Sequence, residues 1–230
     1  MATVVVTGAG RGIGAELCRQ LVAAGDRVVA CPRSEDAPEL EPQTRHRALV
    51  VPMDVADEAS IGRAATAIAA QVEAVDLLIH NAGVYPREDV PFDRLEPDSL
   101  VHAFRINALG PVRVTAALLP LLRRGREKRV AALTSRMGSI DDNASGGSYA
   151  YRMSKAALNM AVRNLAHELG REGFVVVAIH PGWVRTRMGG GSRAPLALDQ
   201  AAAEVLRLAR DADPGLSGAM VGPGGERIPW

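Results

Sequence analysis

Tyr151 and Lys155 stand four residues apart in the stretch "YAYRMSK". On a helix that spacing puts both side chains on one face, one turn apart. A phenol can donate a proton, but its ordinary pKa of about 10 is too high for ready exchange at neutral pH. An ammonium beside it favours the phenolate and is expected to lower that value. The lysine stands out because only Lys128 and Lys155 among the 27 basic residues are lysines. An arginine, Arg152, already lies in the same stretch, yet its planar head does not replace a compact ammonium. Neither Tyr85 nor Tyr149 has a lysine four residues on, which singles out Tyr151. Such a pair could give a proton to an oxygen that is developing negative charge, or take one back.

Other residues could complete that chemistry. Ser135, at the end of "RVAALTS", could hydrogen-bond a substrate oxygen. Ser139 is the alternative, because "DDNASGG" lengthens the connection to Tyr151. Asn107 in "RINALG" is unfavourable inside a helix by propensity, so it marks either a kink before Gly110-Pro111 or a function. Near the start, "TGAGRGIG" (Thr7 to Gly14) has glycines at 8, 10, 12 and 14 with Arg11 and Ile13 between them. Glycines there allow positive φ and let a pyrophosphate approach the backbone at a helix N-terminus. The spacing is TGxxxGxG, since Ile13 falls where GxGxxG needs its last glycine. Asp54 closes a later strand, where a carboxylate either caps a turn or accepts from the exocyclic amine of an adenine. Asn81-Ala82-Gly83 ends another strand with small residues that let backbone lie against a ribose.

These residues need a frame that brings strand ends together. Short β-branched runs alternate with longer helical ones: strands at Thr3–Thr7, 27–31, 48–54, 75–80, 129–134 and 174–180, and a weak seventh near 218–222. Helical patterns fall near 13–24, 58–71, 98–122 (with a kink expected at Gly110-Pro111), 149–170 and 198–210. The link from Pro32 to Pro42 is expected to be irregular or one turn long. Strict alternation predicts an α/β doubly wound Rossmann fold, with about seven parallel strands and helices on both faces. The length suits one domain over 1–230. At the end of the second strand, "ACPRS" has no acid to bind a ribose 2′-hydroxyl, and Arg11 and Arg33 could meet a 2′-phosphate. NADP(H) is therefore expected over NAD(H), with NAD(H) the alternative.

Taken together and in order, these pieces resemble the short-chain dehydrogenase/reductase family. The resemblance rests on Thr7, Gly8, Gly12, Gly14, Asp54, Asn81-Ala82-Gly83, Asn107, Ser135, Tyr151, Lys155 and "PGWVRT" (Pro181 to Thr186). It covers nearly the whole chain, and "GGSYAYRMSKAALN", "HPGWV" and "RIPW" are similar to carbonyl-reductase-like and C-factor-like members. The resemblance implies a catalytic set of Asn107, Ser135, Tyr151 and Lys155, with Lys155 also binding the nicotinamide ribose and Asn107 holding a water linked to Lys155. It also implies cofactor contacts at Ile13, Val55, Pro181, Gly182, Val184 and Thr186, the last two at the carboxamide, under a flap over about 181–198. His80 departs from the Asn that many members place before Asn-Ala-Gly. A homodimer or homotetramer built through the long helices is implied as well.

The expected activity is reduction of a carbonyl, or oxidation of the matching alcohol, on a small molecule. A cofactor-binding signalling or scaffold protein of C-factor type is the alternative. A net charge of +1 with scattered basic residues offers no nucleic-acid surface. No apolar run is long enough for a membrane span. The first strand begins at Thr3, so no signal peptide is expected. Cys18 and Cys31 lack disulfide or metal spacing, which suits the cytoplasm. "GGSYA" is not G-x-S-x-G, and the five histidines show no H-E-x-x-H, so a hydrolase or zinc site is not expected. A nucleotide-sugar epimerase uses a similar pair but needs a larger C-terminal domain.

Overall fold

The computed structural model describes residues 1–230 apart from 36, 38 and 87–90. Buried valines drive the sheet: β1 (Thr3–Thr7), β2 (Arg27–Cys31), β4 (Leu77–His80), β5 (Arg129–Leu133) and β6 (Val175–Ile179) are almost wholly buried. Such continuous apolar runs suit parallel strands covered on both faces. Together with β3 (Leu49–Val50), β7 (Met220–Val221) and β8 (Arg227–Ile228) they form one sheet in the order β3-β2-β1-β4-β5-β6-β7-β8.

Side chains alternate between two cores. Val4 and Val6 face one core with α1 (Gly12–Ala23) and α7 (Leu198–Asp211). Val5 faces the other, with α3 (Glu58–Ala69), α5 (Gly110–Arg124) and α6 (Tyr149–Gly170). β1 pairs with β2 on one side and β4 on the other. The chain order reverses there, so a crevice opens beyond the carboxyl ends of β1 and β4.

The structure departs from the sequence expectation in four places. The strand expected over 48–54 is short, although the Val51 and Met53 N–H groups still bond Ala30 O at 2.9 Å and Pro32 O at 2.7 Å. Its hydrogen bonds outrun its regular geometry. The proline-rich link is followed directly by a short helix, α2 (Pro42–Arg47). The helix expected over 98–122 is α4 (Pro97–Phe104) and α5 joined by a π-helical turn, Arg105–Leu109. The break thus lies at Asn107, ahead of Gly110-Pro111; Pro111, which has no N–H to donate, follows the wider turn directly. Finally, the sheet has an eighth strand, antiparallel, pairing Met220 with Ile228. Two-residue strands are too short to show a period.

Among the described residues no helix is long and apolar enough to cross a membrane.

Candidate active site

The glycine turn between β1 and α1 is pinned to the end of β4. Asn81 Nδ2 donates to Thr7 O and Gly8 O, both at 3.0 Å, and Thr7 Oγ1 accepts from the Asn81 and Ala82 N–H groups at 3.1 Å. Gly8 has φ +64, and a Cβ there would sit 2.7 Å from Ala82 Cα. Only glycine lets these two strand ends approach so closely. Thr7 and Asn81 therefore shape the turn with their side chains. At the first turn of α1, the Gly12 N–H donates to the Glu39 carboxylate at 2.7 Å. The donor set thus already holds an anionic oxygen, which is the chemistry a phosphate needs.

Arg11 and Arg33 are exposed beside this turn, while Cys31 at the end of β2 is buried. Asp54 Oδ1 accepts from Ala56 N at 2.9 Å, so its carboxylate caps the turn before α3. Val55 is buried and packs against Gly110 at the start of α5.

The four expected catalytic side chains converge beyond the ends of β4 and β5. Ser135 is the N-cap of a 3-10 turn, Arg136–Gly138, where its Oγ accepts from Met137 N at 3.2 Å, and it lies near enough to the Tyr151 phenol to lower its pKa. Ser139 is buried and accepts from Asp142 N at 3.1 Å, which favours Ser135 as the serine facing the phenol. Gly138 lets α6 settle onto that turn, since a Cβ there would lie 2.7 Å from Lys155 Cβ. Lys155 is buried, its Nζ donating to Leu133 O at 2.7 Å and lying 5.8 Å from the Tyr151 ring centroid. Asn107, in the π-helical turn, is wholly buried: Oδ1 accepts from Val84 N, and Nδ2 donates to Val84 O and Ser154 Oγ, each at 2.9 Å.

Burial sets the electrostatics. It pushes the Tyr151 phenol up to about 12, against the lowering effect of the Ser135 hydrogen bond and with a further rise from Tyr85. It lowers Lys155 to about 8. The spacing predicts that Lys155 depresses the phenol; in this structure burial gives the phenol a net rise. One of the three ammonium N–H groups goes to Leu133 O, and desolvation of the phenolate dominates. His80 is also buried, with Nε2 2.7 Å from Thr115 Oγ1, and burial lowers its pKa to about 3, so it is a neutral core group.

After β6 the chain runs through Pro181 and Gly182 into the flap. Val184 is buried and bridges to Leu196, and Thr186 Oγ1 accepts from Gly189 N at 2.9 Å. Trp183 Nε1 donates to Gly189 O, and Arg185 is spent on Ala194 O and Pro195 O, each at 2.9 Å. The flap is thus closed on itself by its own side chains.

Residues 2–196 match the family model for short chain dehydrogenase. The chain belongs to the short chain dehydrogenase family. It is 49% identical over 156 residues to C-signal of Myxococcus xanthus, covering 68% of this chain and 93% of that protein. It is 34% identical over 239 residues to 1-hydroxy-2-glutathionyl-2-methyl-3-butene dehydrogenase of Rhodococcus sp. (strain AD45), with both chains covered completely. Its fold superposes on the NADPH-bound carbonyl reductase from chicken fatty liver with a TM-score of 0.90 at 30% identity, covering 100% of this chain and 99% of that one. The carbonyl reductase Sniffer of D. melanogaster gives 0.89 at 27% identity, with both chains fully covered.

Within this short chain dehydrogenase, sequence reasoning missed two polar groups at the site. Glu39 reaches the glycine turn from a segment with no periodic pattern, so no local signal foretold it. Tyr85 was set aside for lacking a lysine, yet its ring lies edge-on to Tyr151 with centroids 4.6 Å apart. Its place two residues after Asn81-Ala82-Gly83 was the available signal.

Proposed function

We propose that this chain is an NADP(H)-dependent oxidoreductase that reduces a ketone or aldehyde, or oxidises the matching alcohol. The observation that carries the proposal is the convergence of Ser135, Tyr151, Lys155 and Asn107 beside the crevice where the strand order reverses. The cofactor, when bound, supplies or accepts the hydride. Ser135, close enough to Tyr151 to lower its pKa, is placed to share a carbonyl oxygen with it. As charge develops on that oxygen, the Tyr151 hydroxyl donates its proton, and the phenolate left behind is reprotonated from solvent. Lys155 lends positive charge below the pH at which it loses its proton, and Asn107 holds Val84 and the loop after β4 in register.

NADP(H) is supported by the lack of an acid at the end of β2, by the exposed Arg11 and Arg33, and by the NADPH-bound chicken enzyme. The glycine turn, with Ile13, Asp54, Val55, Ala82, Gly83, Pro181, Gly182, Val184 and Thr186, is the proposed cofactor surface. A signalling or scaffold role gains nothing from the geometry, because all four side chains of the catalytic set are brought together. Following NADPH consumption over a panel of aldehydes and ketones tests the proposal.

A further inference from the structure

The chain has three tyrosines and three phenylalanines, and all the tyrosines with one phenylalanine form two ring pairs, linked through Ser148. Tyr85 stands edge-on to Tyr151, ring planes at 79° and centroids 4.6 Å apart. Its hydroxyl lies 3.0 Å from Ser148 Oγ. Tyr149, next in the chain, faces Phe92 with ring centroids 5.6 Å apart. Tyr149 is 37% exposed and Phe92 73% exposed, so this end of the strip opens to solvent. Two features hold Tyr85 in place. Asn107 grips both backbone polar groups of Val84, so the next residue leaves from a fixed base. Ser148 sits at φ +49, in a left-handed conformation that a serine adopts only when its surroundings hold it there.

We infer that Tyr85 determines substrate specificity: it fixes the plane of Tyr151 and forms, with Tyr149 and Phe92, an aromatic wall for a carbonyl compound carrying a planar apolar substituent. This rests on the oxidoreductase reading above. Edge-on and offset ring contacts favour a flat π-system over an aliphatic chain of equal carbon number. Tyr85 touches the proton donor and the Phe92–Tyr149 pair opens to solvent, so we place a ring attached to the carbonyl carbon between them when the oxygen meets Tyr151. Tyr85 is thus a positioning residue for Tyr151 and a contact for the substrate's ring.

The test compares aryl with alkyl aldehydes and ketones of matched carbon number, using wild type, Tyr85→Phe, Tyr85→Leu and Phe92→Leu. Wild type is expected to favour the aryl members in kcat/KM. Tyr85→Leu should cut that preference by about tenfold, chiefly through KM. Tyr85→Phe should keep the preference while losing kcat, because the ring remains and the anchor to Ser148 is gone. NADPH binding, read by fluorescence, should stay unchanged. Phe92→Leu, at an exposed position, carries the same test if Tyr85→Leu fails to fold. An unchanged aryl-to-alkyl ratio in Tyr85→Leu and Phe92→Leu, or no aryl preference in wild type, overturns the inference alone. No turnover of any carbonyl by wild type overturns the reading beneath it.

Discussion

Lys155 donates its Nζ–H to the carbonyl oxygen of Leu133 at 2.7 Å, so the buried ammonium is anchored to the end of β5. Burial lowers its pKa to about 8. Between that pH and the ordinary lysine value of about 10.4, the unfolded chain binds a proton that the folded chain does not. Stability therefore rises with pH across that window, as the cost of burying the charge is relieved. Lys155→Met should melt higher than wild type at pH 7, by on the order of 5 °C, with the gap closing towards pH 10. Melting curves at several pH values check this, and a gap independent of pH contradicts it. In the active wild type, carbonyl reduction should weaken as pH rises through about 8 and the charge is lost.

The two serines should separate cleanly. Ser135→Ala removes the hydroxyl beside Tyr151 and should lower kcat on the order of 100-fold while leaving the melting temperature nearly unchanged. Ser139→Ala removes a buried acceptor for Asp142 N and should cost about 1 kcal/mol of stability with little change in kcat. Steady-state kinetics beside thermal melts would show the reverse pattern if Ser139 were the serine at the substrate.

These contrasts mark how far the sequence could be read. The alternation of valine-rich runs with helical stretches carried the parallel sheet, because buried strands must be apolar on both faces. The Tyr151–Lys155 pair and the glycine turn were legible because each depends on spacing within one element. The partner of Lys155 was not, since a backbone carbonyl carries no mark in the sequence. The π-helical turn was not either: Asn107 hinted at a break, but one extra residue in a turn leaves apolar spacing nearly intact. β7 fell within the weak seventh run, but β8 was missed because it has only two residues. Glu39 and Tyr85 reach the site through tertiary contacts from segments with no period of their own.

Glu39 offers a separate test. Its carboxylate occupies the Gly12 N–H in the first turn of α1, where a cofactor phosphate would bring negative charge. Glu39→Gln removes that charge and should tighten NADPH binding by about threefold, a modest gain because the group is exposed. The gain should shrink as salt is raised. Fluorescence titrations in low and high salt measure it, and weaker binding by the variant would contradict the prediction.

Arg11 and Arg33 should distinguish the two nicotinamide cofactors. Replacing either with Ala should weaken NADPH binding by about tenfold while leaving NADH binding nearly unchanged, because only NADPH carries a 2′-phosphate for a guanidinium to meet. Equal losses for both cofactors, or a wild-type preference for NADH, would contradict this.

The most direct measurement follows NADPH consumption by wild type and Tyr151→Phe across a panel of aldehydes and ketones, with NADPH binding measured on both. Wild type is expected to turn over at least one carbonyl. Tyr151→Phe should lose on the order of 1,000-fold in kcat while still binding NADPH. Silence from both proteins despite tight NADPH binding, or full activity in Tyr151→Phe, would contradict the proposal that Tyr151 transfers the proton.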